Sequence, residues 1–92
     1  MVELLYFAEL KEITGKEKEE FDLTVDNMRE LITHLISKYE KIKKLVWDEE
    51  NARLKGTISI AINHKIRYEK DKLSITLNPE DKVSLLLPVS GG

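Results

Sequence analysis

"DNMRELITHLISKYEKIKKL" (26–45) decides the fold. Its apolar residues Met28, Leu31, Ile32, Leu35, Ile36, Tyr39, Ile42 and Leu45 recur at helical spacings of three and four. That pattern lines them along one face and predicts a single long helix. Asp26 stands at the N-cap position with Glu30 in the early turns, and Lys41, Lys43 and Lys44 lie where a helix C-terminus favours cations. A helix with one apolar face needs another apolar surface to cover, and the flanking sequence supplies it as strands.

Upstream, "VELLYF" (2–7) alternates and reads as a strand, with Val2, Leu4 and Tyr6 inward and Leu5 and Phe7 outward. "AELKEITG" (8–15) reads as a short helix that Gly15 ends at its C′ position. "EEFDLTV" (19–25) reads as a second strand, antiparallel to the first, with Phe21, Leu23 and Val25 on one side. Downstream, polar "WDEENARLKG" (47–56) is expected to be a loop carrying at most a turn of helix. "TISIAIN" (57–63) gives a strand with Ile58, Ile60 and Ile62 on one face. Asn63-His64-Lys65 turns the chain into a short "IRYE" strand, "LNPEDK" (77–82) marks another turn, and "VSLLLPV" (83–89) is the last strand, closed by Pro88.

The first and last strands are the most apolar and are expected to be neighbours at the centre. The order describes an α+β protein: a two-layer β-grasp (ubiquitin-like) sandwich, a mixed sheet with one long helix packed on one face. The 92 residues are expected to form one domain over 1–89, followed by a flexible Ser-Gly-Gly tail at 90–92.

Composition removes many functions. Fifteen basic and seventeen acidic residues, net charge -2, give no basic stripe for nucleic acid. No cysteine is present, so disulfides, thiolate metal sites and a cysteine nucleophile are excluded. The N-terminus lacks the basic lead of a signal peptide, and no apolar run reaches the ~18–20 residues that span a bilayer, so the expected location is the cytoplasm. "TGKEKEE" (14–20) is a helix stop followed by solvated charge and not a phosphate loop. His34 and His64 lie in different elements without acidic partners at ligand spacing and read as structural or exposed. "WDEEN" (47–51) reads as a solvated face, and Trp47 as a cap on the core edge.

Two features resist that reading. Alternation leaves Leu5, Phe7 and Leu86, with Ile66 beside them, on the sheet face away from the helix, which suggests a surface for a partner. The chain also runs from an apolar strand into Ser90, Gly91 and Gly92. Without Cβ atoms, two glycines can thread a narrow channel and let another protein approach the backbone closely.

"LLYFAELKEITG" (4–15), Asn63 and "EDKVSLLLPVSGG" (80–92) resemble the small-subunit family of molybdopterin synthase, ubiquitin-like sulfur carriers. The resemblance implies that Gly92 bears an acyl-adenylate and then a thiocarboxylate, with Gly91 and Ser90 as the slim tail before it. It implies a large subunit, in a heterotetramer, that docks on Phe7, Ile66, Leu86 and Pro88 and passes the sulfur to a cyclic pyranopterin precursor, forming the molybdopterin dithiolene. It also implies a separate E1-like activating enzyme that uses ATP and a sulfur donor. The chain itself would bind no cofactor or metal and would not be an enzyme on its own. Nucleic acid and membrane are not expected partners. The sequence departs from the family pattern at Pro79-Glu80-Asp81, at Leu87-Pro88 and at His64, which is not a residue expected in a left-handed turn. The same activated glycine would serve a protein modifier that forms isopeptide bonds through Gly92, or a sulfur carrier for thiazole or transfer-RNA thiolation.

Overall fold

A computed structural model describes residues 1–24 and 26–88. Strand β1 (Val2–Leu5) leads into helix α1 (Ala8–Thr14) and strand β2 (Lys18–Phe21). Helices α2 (Met28–Lys38) and α3 (Glu40–Val46) follow, then short strands β3 (Trp47–Asp48) and β4 (Arg53–Leu54). Strands β5 (Ser59–Ile62) and β6 (Lys65–Arg67), a 3-10 turn (Lys72–Ser74) and strand β7 (Lys82–Leu86) complete the order. The main sheet runs β2-β1-β7-β5-β6, with β1 and β7 parallel and the other pairs antiparallel. The first and last strands are neighbours, as their apolar character required.

The inward assignments hold. Val2, Leu4, Tyr6, Ile58, Ile60, Ile62, Val83 and Leu85 are buried against Met28, Leu31, Ile32, Leu35 and Ile42. Gly15 ends α1 at φ 71°, a left-handed conformation that glycine adopts without a Cβ clash. Trp47 packs, partly buried, against the core edge.

The single long helix is a correction: the chain breaks at Tyr39, φ -126° and ψ 97°. Nineteen helical residues would run about 28 Å, whereas the longest strand has five residues and spans about 17 Å. The break turns α3 back over the core, so that Ile42 and Val46 are buried as completely as Leu31 and Leu35. One extended residue keeps the apolar side facing inward, and periodicity therefore passes through it. Backbone bonding also survives, because the Tyr39 N–H donates to the Leu35 carbonyl at 3.0 Å and its own carbonyl accepts from Lys43 at 3.1 Å.

Other boundaries move. The N-cap is Asn27, whose Oδ1 accepts the Glu30 N–H at 2.9 Å. Asp26 lies one residue too early, and its carbonyl accepts the Leu77 N–H at 2.9 Å. The expected loop at 47–56 holds the β3–β4 ladder, closed by Ala52 at φ 49° and by the Asp48 carboxylate, which accepts from Glu50, Asn51 and the Asn51 side chain. β2 stops at Phe21, four residues early, and Val25 lies outside the described residues. Leu73 and Ile75 are buried core residues between the expected elements, and Leu77, expected to open the turn at 77–82, is buried as well. Their period-two spacing was the available signal.

Candidate docking face and tail root

The inward pattern fixes what faces the other way. Pairing sets Leu5 beside Ser84, Ser84 beside Ala61 and Ala61 beside Ile66, one row across the four strands β1, β7, β5 and β6. Ser84 and Ala61 are small and almost covered, while Ile66 is 45% exposed. The row is thus low in the middle and raised at its ends. Leu86, opposite Ser59, begins the next row, toward the end where the chain leaves the sheet.

Phe7 stands at that same end. Tyr6 is the last inward residue of the first segment, held by its N–H on the Glu17 carbonyl at 2.8 Å. The next residue must leave the core, and Phe7 is 50% exposed. The Phe7 carbonyl accepts the Leu10 N–H at 3.1 Å, which ties it to α1. Ala8 takes φ 48°, so the turn from strand to helix is made at an L-residue in the left-handed region. Between Phe7, Ala8 and Glu9 on one side and Leu86, Leu87 and Pro88 on the other lies a hollow of about 380 Å³.

All four docking residues expected from the resemblance are thereby located. Phe7, Leu86 and Pro88 line or flank the hollow, and Ile66 sits at the far end of the adjoining row. The tail residues Ser90, Gly91 and Gly92 lie outside the described residues, as does Val89.

The titrating groups gather elsewhere. Glu19 on β2 has a side chain only 9% exposed. Its Oε1 accepts the hydroxyls of Tyr6 and Tyr39, both at 2.8 Å, and its Oε2 accepts Lys16 at 3.1 Å and Lys38. Burial alone would raise the Glu19 pKa, but the four hydrogen bonds overturn that and hold it at about 2. Burial, then the Glu19 contact, pushes the Tyr6 and Tyr39 hydroxyls up, so both stay protonated as donors. The two rings meet edge-to-face with centroids 6.3 Å apart. This network fastens the helix break to β1 and β2, and its polar groups are spent on one another.

Asn63 is also structural. Its Nδ2 donates to Asp81 Oδ1 at 2.9 Å and its Oδ1 accepts the Lys82 N–H at 3.0 Å, joining the hairpin turn to the start of β7. His64 does occupy a left-handed turn, at φ 69° after Asn63 at 52°, a region where asparagine and histidine are enriched among non-glycines. His34 is half exposed, with Nε2 3.7 Å from Glu30. Among the described residues, no group of three or more His, Asp or Glu could hold a metal, and no helix is long and apolar enough to cross a membrane.

A five-stranded mixed sheet in which the first and last strands pair in parallel, with α2 and α3 packed on one face and the other face left apolar near Pro88, defines a ubiquitin-like β-grasp protein. The ThiS family model matches residues 4–92, and the chain belongs to that family of ubiquitin-like sulfur carriers. No curated protein matches it. Among solved structures, SAMP1 from Haloferax volcanii is 23% identical over 99% of this chain and 98% of its own, TM-score 0.82, and shares the fold. Small archaeal modifier protein 1 from Methanosarcina acetivorans is 28% identical over 99% and 95%, TM-score 0.79. A putative molybdopterin converting factor, subunit 1, from Pyrococcus furiosus is 28% identical over 96% and 97%, TM-score 0.71.

Proposed function

We propose that this chain is the sulfur-carrying small subunit of a molybdopterin synthase, with the sulfur on Gly92 as a terminal thiocarboxylate. The observation that carries the reading is the apolar hollow formed by Phe7, Leu86 and Pro88 at the root of the tail. A partner gripping there holds the body by the end from which Gly91 and Gly92 depart. The likeness to the converting-factor subunit supports the same reading.

The chemistry is set by what the chain lacks. A carboxylate is a poor electrophile, and the sequence has no phosphate loop, so a separate activating enzyme would transfer AMP from ATP to Gly92 and release pyrophosphate. A donor delivering sulfur at the oxidation level of sulfide would then displace AMP and leave the thiocarboxylate. With no cysteine, the terminal acyl group is where this chain can carry reactive sulfur. In the large subunit the anionic sulfur would attack the pyranopterin precursor and displace an oxygen. Water would then cleave the resulting thioester, returning Gly92 as carboxylate and leaving sulfur on the pterin. Cationic groups of the large subunit would steer tail and precursor together.

Fragmentation mass spectrometry of protein from its native host tests this. One oxygen replaced by sulfur is expected on the C-terminal peptide. Its absence from cells that are making the cofactor contradicts the carrier reading. A second reading, a protein modifier, is favoured by the likeness to the Methanosarcina modifier protein. It would appear in the same samples as Gly92 joined to lysine side chains.

The docking face has its own test. Replacing Phe7 or Leu86 with glutamate places a charge in the hollow and should weaken large-subunit binding by more than about 2 kcal/mol if each is a central anchor. Calorimetric titration showing unchanged affinity would remove that residue from the interface.

A further inference from the structure

The two open edges of the sheet are built differently. β2 presents Lys18 and Glu20 to solvent and keeps Phe21 buried, which is a charged, protected edge. β6 exposes Ile66 at 45%, and Tyr68 just beyond it is 85% exposed. These are two of the four exposed large hydrophobic residues among those described, the others being Met1 and Phe7.

The backbone of Ile66 points the same way. Asn63 and His64 form a two-residue turn with both φ positive, in which the flanking residues make the turn's hydrogen bond. Ile62 and Lys65 are therefore the bonded pair. Bonded and unbonded pairs alternate along an antiparallel ladder. Ile66, opposite Ala61, then falls in an unbonded pair, with its N–H and C=O turned toward the open edge. One residue thus offers two free backbone groups to the edge and an apolar side chain to the row that carries Leu5, Ser84 and Ala61.

The surroundings are basic. Residues 64–72 hold Lys65, Arg67, Lys70 and Lys72 against Glu69 and Asp71, a local excess of positive charge in a chain of net charge -2. Arg67 is satisfied by Glu69, and Lys72 Nζ donates to the Ile58 carbonyl at 2.6 Å. Lys65 and Lys70, one on each side of the exposed pair, form no ion pair among the described residues.

We infer that β6 receives an extended segment of a protein partner by strand addition, a segment with apolar side chains at alternate positions and acidic residues at its flanks. The inference rests on the outer face being a docking surface and adds a second, backbone-directed grip at its rim.

Amide hydrogen exchange on the complex with the large subunit tests it. The Ile66 amide should exchange at least tenfold more slowly in the complex than in the free chain. Ile66→Thr and Ile66→Pro both remove the side chain, but only the latter removes the outward N–H, at an edge position where sheets tolerate proline. Ile66→Pro should bind at least tenfold more weakly than Ile66→Thr. If Ile66→Pro fails to fold, the exchange measurement on the native chain decides. An unchanged Ile66 exchange rate in a complex that Phe7→Glu disrupts overturns strand addition while leaving the docking face intact. If no complex forms, the docking-face reading fails, and a synthetic peptide of alternating valine and threonine with two acidic residues at each end decides for β6. Slowed Ile66 exchange with that peptide, at least fivefold weaker when its acidic residues are lysines, supports the inference. No slowing at millimolar peptide overturns it.

Discussion

Glu19→Gln lowers the stability of the folded chain by about 2 kcal/mol at neutral pH, and the deficit shrinks in acid. The carboxylate is held at about 2 against an ordinary value of 4.5. Taken at face value that difference corresponds to about 3 kcal/mol. Lys16 and Lys38 are each about half exposed, and solvent screening of their contacts reduces the figure to about 2 kcal/mol. The sign follows from the depressed value. The contribution is complete above pH 4.5 and is lost as pH falls toward 2, where the native carboxylate takes up its proton. Urea titrations of both proteins between pH 7 and pH 3 check this. The gap between native and variant should be constant down to about pH 5 and narrow below 4.5. A gap that stays constant to pH 3 would show that Glu19 acts through its shape and not its charge.

Deleting Gly92 gives the largest functional effect, loss of sulfur transfer with the fold retained. The core that sets stability is assembled from Val2 to Leu85 and lies upstream of the tail. Removing the last residue takes away the acyl carbon proposed to carry the sulfur and moves the new carboxylate about 3.5 Å short of its reach. Thermal unfolding should change little, while molybdopterin formation in a reconstituted two-subunit assay should fall to background. Full activity of the deletion would end the carrier reading of Gly92.

What could be read from the sequence was the inside of the molecule. Strict alternation at Ile58, Ile60 and Ile62, and at Val2, Leu4 and Tyr6, identified the buried sheet face because a one-residue slip would have exposed every one of them. The same parity placed Leu5, Phe7 and Leu86 outward, with Ile66 in the adjoining hairpin. Tyr68, two residues beyond Ile66, obeys the same rule and was missed because the segment was read as a short return and its side chains were not assigned. The break at Tyr39 was hidden for a different reason. Tyr39 is held there by the Glu19 network, which joins Tyr6, Glu19 and Tyr39 across 13 and 20 positions of sequence, and no local pattern carries a contact of that kind. The β3–β4 ladder was masked by its polarity, since a two-residue pairing closed by an aspartate looks like any solvated turn.

The parallel pairing of β1 with β7 has a consequence for biosynthesis. The sheet's middle strand follows all the others in chain order, so the nascent chain cannot close its core until residues 82–86 have left the ribosome. A product that stops short of residue 82 therefore leaves β1 and β5 without the strand between them and its core open to solvent.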